Sequence, residues 1–220
     1  MSFPSTEIIG DVIFESFATG SLQSNCSIIG EPVTKRAIVV DPGADADSIM
    51  DRIESLGLSV VGILLTHAHL DHVLASGEIK KRTGANLSLH KGDKFLWDSL
   101  EQQCRQYGIP HDPIADPDHW LADEDSLPCC HGVALHTPGH TPGSMCFWFA
   151  DHRLLVAGDT LFQLGIGRTD IQGGSFKEIE NSITNRLFTL EGDALVVTGH
   201  GPNTSLAFER RANPFFGSGL

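Results

Sequence analysis

Seven consecutive positions, Thr66-His67-Ala68-His69-Leu70-Asp71-His72, constrain this chain more than any other feature. They follow Val60–Leu65, a run apolar on both faces that reads as a central buried strand. In extended chain, side chains at i and i+2 lie on one side. His67 and His69 therefore present two imidazoles to one point. Asp71 and His72 fall where the chain turns into the next helix. Burying three imidazoles and a carboxylate without a cation would leave polar groups unsatisfied. The block predicts metal binding.

Three more ligand-type residues stand in the same local context. His140 follows the expected strand Val133–His136 through Thr137-Pro138-Gly139, Asp159 follows Leu154–Ala157 and Gly158, and His200 follows Ala194–Thr198 and Gly199. Each lies just past an apolar strand and next to a glycine, where a rigid sheet can hold loops around a site. The expected ligand set is His67, His69, Asp71, His72, His140, Asp159 and His200, with no thiolate. Imidazole and carboxylate suit zinc first, and the same ligands accept iron or manganese. Seven ligands exceed one tetrahedral ion, so two divalent ions sharing a carboxylate and a hydroxide are expected. Such a site carries about one net positive charge, which stabilises a developing oxyanion.

The other histidines read differently. His136 is assigned beside the ligands or to the core, and His90, His111, His119, His131 and His152 to the surface or loops. Asp41 either orients a ligand or caps the following helix. Arg168, in Gly165-Ile166-Gly167-Arg168-Thr169-Asp170, either clamps a substrate carboxylate or pairs with Asp170.

Around these motifs the chain predicts strands at Val12–Phe17, Asn25–Ile29, Ala37–Val40, Asn86–His90 and Ser144–Phe149. Helices are expected over Ala44–Leu56, Val73–Thr83, Lys91–Tyr107, Glu178–Leu187 and Ser205–Ala212. Residues 109–132, polar and proline-rich, read as an irregular loop. Strand meanders with helices between them imply an α/β (α+β) fold, two sheets face to face with helices outside. The 220 residues fit a single domain.

Composition narrows the function. A net charge of −13, from 15 Lys+Arg against 28 Asp+Glu, excludes nonspecific nucleic-acid binding and a polybasic membrane contact. No apolar run approaches a membrane span, and Met1–Glu7 shows no signal peptide. Five scattered cysteines (Cys26, Cys104, Cys129, Cys130, Cys146) read as reduced thiols in a cytoplasmic protein, with adjacent Cys129 and Cys130 a conceivable redox pair.

His-x-His-x-Asp-His at 67–72, Pro-Gly-His-Thr-Pro-Gly at 138–143, Gly-Asp at 158–159 and Gly-His-Gly-Pro at 199–202 resemble the metallo-β-lactamase superfamily. The resemblance spans residues 12 to 214. Gly-Asp-Thr-Leu-Phe at 158–162, Gly-Arg-Thr-Asp at 167–170, His-Gly-Pro-Asn-Thr at 200–204 and Glu209–Pro214 are similar to the glyoxalase II group, closest to its short bacterial members. This implies a four-layer αββα sandwich. It also implies that His67, His69 and His140 hold one metal, Asp71, His72 and His200 the other, with Asp159 bridging. The implied reaction is hydrolysis of a small-molecule thioester such as S-lactoylglutathione by a metal-bound hydroxide, with Asp71 and Asp159 as the catalytic carboxylates. The longer enzymes carry a helical glutathione-binding domain after the point where this chain ends, and a tyrosine where Asp170 stands. Arg168 matches a glutathione-contacting position.

The alternative is a persulfide dioxygenase, also similar over most of the chain, using one iron on His67, His140 and Asp159. Pro202 after His200-Gly201 favours the hydrolases, since the dioxygenases tend toward Asp after that histidine. A β-lactamase reading wants a secretory signal. Nucleic-acid-processing relatives are disfavoured by the charge, and the electron-transfer branch has Glu where His69 stands. A non-catalytic metal sensor need not keep so complete a ligand set.

Overall fold

The computed structural model describes residues 6–217. Residues 1–5, within the stretch read for a leader, and 218–220 lie outside it. Two sheets form the centre. The first has seven strands in sequence order, β1 (Glu7–Ile9), β2 (Val12–Thr19), β3 (Ser24–Gly30), β4 (Arg36–Val40), β5 (Ser59–Leu64), β6 (Asn86–His90) and β7 (His119–Leu121), among the described residues. Strands β1 to β4 are antiparallel, and β4 to β7 run parallel. The second sheet holds β8 (Val133–His136), β9 (Met145–Phe149), β10 (Leu154–Gly158), β13 (Leu195–Thr198) and β14 (Thr204–Ser205), ordered β14-β13-β10-β9-β8. A two-residue hairpin, β11 (Leu161–Phe162) with β12 (Gly165–Ile166), follows β10.

Period-2 alternation sorts the apolar side chains into three layers of packing. Ile38 and Val40 of β4 face Met145, Phe147 and Phe149 between the sheets. Ala37 and Val39 point the other way, onto helices α1 (Ala46–Ser55) and α3 (Ser76–Thr83) through Ile49, Ile53 and Ile79. Behind the second sheet, Leu155 and Val196 meet Ile179 of α6 (Phe176–Ser182) and Leu206 of α7 (Leu206–Ala212). The result is the four-layer αββα sandwich.

Several boundaries differ from expectation. The helix expected from Lys91 to Tyr107 is a 3₁₀ turn (Lys91–Asp93), α4 (Lys94–Asp98) and α5 (Leu100–Tyr107). Two forces break it. Asp93 is drawn inward to bond three distant groups, and Ser99 leaves helical geometry so that its amide and hydroxyl both donate to Leu96 O. The helix expected at Val73 starts earlier, as the single turn α2 (Leu70–Val73), before α3. The Glu178–Leu187 helix widens into a π turn over Ile183–Leu187. Within the expected loop 109–132, His119–Leu121 adds a parallel strand to β6. Strands β1, β11, β12 and β14 are two or three residues long, too short for a periodic signal.

Candidate metal centre

The seven expected ligands come from four separate segments and meet at one end of the sandwich. His67 and His69 stand past the end of β5, and Asp71 and His72 lie on α2. His140 is on the loop from β8 to β9, Asp159 past β10, and His200 past β13. All seven are brought together. Ligand atoms of His67, His69 and His140 lie within 4.8 Å of one another, as do those of Asp71, His72 and His200. Asp159 sits between the groups. Its carboxylate is 3.5 Å from His72 Nε2, 3.5 Å from His140 Nε2 and 3.8 Å from His200 Nε2. Gly199 makes this approach feasible, because a Cβ there would collide with Asp159 Oδ1.

Hydrogen bonds on the far side of four of the five rings orient the imidazoles. His72 Nδ1–H donates to Asp41 Oδ2 at 3.0 Å, His140 Nδ1–H to Arg168 O at 2.8 Å, and His200 Nδ1–H to Gln23 O at 3.2 Å. The Thr66 hydroxyl donates to Asp41 Oδ2 at 2.6 Å and accepts from His67 Nδ1–H at 3.0 Å. This network assigns the tautomers. Four rings turn Nε2 inward, and His69 instead brings Nδ1 within 3.0 Å of His140 Nε2. His67 Nε2 and Asp159 Oδ1 are buried without a hydrogen-bond partner. His72 Nε2 and His200 Nε2 face one another at 3.2 Å with both Nδ1 atoms already donating. Two such lone pairs are favourable only around a shared cation or proton. The donor set therefore fits divalent ions, and outward hydrogen bonds of this kind are what metal-bound imidazoles use.

The electrostatics agree. Burial, reinforced by the neighbouring rings, pulls His67 well below its ordinary range, and burial brings His69 and His140 down to about 4. Burial also opposes charge on His72, but Asp159, Asp71 and Asp41 together outweigh it and lift the ring to about 10. Burial would raise Asp71, yet His72 and His200 hold its carboxyl well below the usual range. Asp159 is raised, by burial. Without metal the cluster keeps its proton on His72.

Asp41 orients a ligand and caps nothing: α1 receives no side-chain cap. Two further residues escape sequence reasoning. Buried Asp93 accepts from Ala68 N (3.0 Å), Thr141 Oγ1 (2.8 Å) and Gly143 N (2.6 Å), tying the 67–69 loop to the His140 loop. Gln103 accepts from Leu70 N at 3.0 Å and donates to Leu96 O at 2.9 Å, holding the start of α2. Nothing local marks either residue. His136 donates through Nε2 to Pro142 O at 2.9 Å and stacks on His90. His152, expected at the surface, is buried against Gly10 and Asp11, because it ends a 3₁₀ turn that meets the turn between β1 and β2.

A cleft of about 410 Å³ opens onto the centre, lined by His69, Asp71, His140, Asp159 and His200 on one side. Leu22, Leu96, Tyr107, Ile171 and several glutamines form the other walls. Arg168 also borders it, but its guanidinium is paired with Asp170 through both carboxylate oxygens (2.9 and 3.1 Å). A larger depression of about 880 Å³ over α6 holds no such cluster.

The family model for the metallo-β-lactamase superfamily matches residues 19–200. The chain belongs to the metallo-β-lactamase superfamily. Among curated relatives, hydroxyacylglutathione hydrolase GloC of Haemophilus influenzae is 39% identical over 202 residues, covering 90% of this chain and 95% of its own. Among solved structures, the BLEG-1 B3 metallo-β-lactamase superposes with TM-score 0.85 at 33% identity, covering 92% of this chain and 98% of that one. TTHA1623 in a di-iron-bound form gives 0.82 at 30% identity, covering 98% and 100%. In this superfamily member no helix among the described residues is long and apolar enough to cross a membrane.

Proposed function

We propose that this superfamily member hydrolyses a small-molecule thioester, such as S-lactoylglutathione, at a binuclear metal centre. One observation carries the reading: two ligand triads stand side by side at the base of one cleft with the Asp159 carboxylate between them. His67, His69 and His140 would hold one ion, and Asp71, His72 and His200 the second, with Asp159 reaching both. Zinc is the first choice, and the di-iron relative supports iron as a substitute. When bound, the ions polarise a carbonyl and acidify water.

The chain's own groups do the rest. Asp41, Thr66 and the carbonyls of Arg168 and Gln23 hold the imidazole protons outward, leaving the inward nitrogens free. Asp71, held ionised, faces the cleft as a proton acceptor. No acid needs to protonate the leaving group, because a thiol of ordinary pKa near ~8.5 departs readily as thiolate. Leu22, Leu96 and Ile171 offer apolar surface to an acyl group, and Gln102, Gln106 and Gln172 offer amides to a peptide-like thiol. The GloC relationship supports this substrate class. Arg168 becomes a substrate clamp only by exchanging Asp170 for a substrate carboxylate. Five free, buried thiols support a reducing, cytoplasmic setting and a single domain that needs no staple.

The test combines a metal count on protein purified without chelator with an S-lactoylglutathione hydrolysis assay. Near two metals per chain with turnover is expected. One iron per chain and oxygen uptake with glutathione persulfide would move the assignment to a dioxygenase on His67, His140 and Asp159. Turnover of a cephalosporin in place of the thioester would overturn the substrate class.

A further inference from the structure

A second cluster of ligand-type side chains lies at the other end of the sandwich. Arg36 opens β4 there, while the far end of β4 leads to Asp41 at the metal centre. Residues 127–132 form a tight loop closed by Leu127 N–H on Gly132 O at 2.8 Å. Arg36 Nη2 donates to Pro128 O at 2.6 Å, and Cys130 N–H donates to Glu31 Oε1 at 2.7 Å, so the β3–β4 hairpin grips the loop. Adjacent side chains in extended chain point to opposite sides. Here Cys130 (φ 62°) and His131 (φ 51°) are left-handed, a conformation that non-glycine residues keep only where the surroundings impose it. The outcome is that Cys129 Sγ and Cys130 Sγ are 3.2 Å apart, with a Glu31 carboxylate oxygen and both sulfurs all within 4.8 Å of one another. Both cysteines are buried, yet each borders solvent: Cys129 lines a cleft of about 440 Å³ and Cys130 one of about 280 Å³, and Glu31 and His131 line both.

We propose that Cys129, Cys130 and Glu31 bind one thiophilic divalent d¹⁰ cation, zinc or cadmium, at a site separate from the catalytic centre. Thiolates select such ions over the hard cations that carboxylates alone would take. The charge closes: two thiolates and a carboxylate face a divalent ion and the Arg36 guanidinium. Binding replaces two thiol protons, which leave to solvent as two S–metal bonds form, and no electrons move. The Cys130 thiol, donating to Cys129 and buried, is held well above its ordinary range, so the ion has to displace that proton and binding strengthens as pH rises. Zinc–sulfur bonds of ~2.3 Å at the tetrahedral angle of roughly 109° set the sulfurs ~3.8 Å apart, so from 3.2 Å they must open by about half an ångström. Glu31 keeps lone pairs for a cation after accepting from Cys130 N and the Thr34 hydroxyl.

The test is cadmium titration of the full chain, kept reduced with a phosphine, followed by metal count and ultraviolet absorption. The catalytic centre offers only nitrogen and oxygen, so it cannot produce the sulfur-to-cadmium charge-transfer band. The expected result is that band in the parent and its loss in Cys130→Ser, with one ion fewer per chain. Glu31→Gln, which still accepts from Cys130 N–H, should bind on the order of tenfold more weakly, and it decides the matter if Cys130→Ser fails to fold. No band, a band that survives in Cys130→Ser, a mass two hydrogens low with no ion bound, or unchanged affinity in Glu31→Gln would overturn the proposal.

Discussion

Replacing Asp41 by Asn tests whether the outward hydrogen bonds set the metal-binding tautomers. Asp41 is buried at φ 50°, a conformation Asn adopts readily, so the backbone is unchanged. Thr66 N can only donate, at 2.7 Å, so the new amide oxygen must stay at the Oδ1 position. The amide NH₂ then occupies Oδ2, which formerly accepted from the Thr66 hydroxyl and His72 Nδ1. His72 must accept there, which moves its hydrogen to Nε2. Thr66 must turn its hydroxyl to His67 Nδ1, 3.0 Å away, which moves the His67 hydrogen to Nε2. Both inverted nitrogens face the centre, one in each triad. Restoring the ligating form leaves a buried donor without an acceptor, costing about 1–3 kcal/mol per triad. Metal affinity should thus fall roughly 5- to 150-fold at each site, comparable to the ~10–100-fold typical of losing such a partner. Competition with a chromophoric chelator measures the affinity, and imidazole ¹⁵N NMR of the zinc form reports the tautomers. Affinity within about threefold of the parent, with Nδ1–H retained on His67 and His72, would refute the reasoning.

Asp159→Ala should empty both metal positions together and lower turnover by more than ~100-fold; a variant that keeps two metals by atomic spectrometry, or keeps its activity, sinks the shared-carboxylate geometry. Asp93→Ala strands two backbone amides in the interior, while the Thr141 hydroxyl keeps Ser144 Oγ at 2.8 Å, which should cost about 2–6 kcal/mol by urea unfolding; a loss under about 1 kcal/mol would show that the two loops hold together without it. Proton release gives a pH prediction. With His72 lifted to about 10 it is protonated at neutral pH, whereas His69 and His140, at about 4, are already neutral. Metal must displace the His72 proton, so apparent affinity weakens as pH falls, about tenfold per pH unit per proton, and steepens near pH 4. Calorimetry of zinc binding in buffers of different ionisation enthalpy should show at least one proton released at pH 7, from His72 and from His200, which Asp71 also raises; buffer-independent heats contradict this. Chelator treatment should lower the midpoint of thermal unfolding, because ions held only by the folded ligand cluster stabilise the folded state by mass action.

Much of the centre was legible because its ligands obey local rules. His67 and His69 share a side through strand periodicity, and His140, Asp159 and His200 each follow an apolar strand end. The layered fold was legible for the same reason, since Ile38 and Val40 alternate with Ala37 and Val39 regardless of what each face meets. The breaks were not. Ser99 interrupts a pattern that looks helical throughout, and His119–Leu121 becomes a strand only because the exposed edge of β6 lies beside it.

What the sequence determined by itself was the donor chemistry, the alternating faces of the strands and the segments that end at a site. Only the tertiary structure decided which proton each imidazole carries, through Asp41, Thr66, Arg168 O and Gln23 O. It also decided that Asp93 would tie two loops and that Cys129 and Cys130 would share a side with Glu31. Periodicity records which face a residue occupies, because burial repeats along the chain. A buried carboxylate's choice among donors 48 or 50 residues away leaves no repeat to read, because it is settled only when folding has excluded water and each remaining polar atom must find its partner nearby.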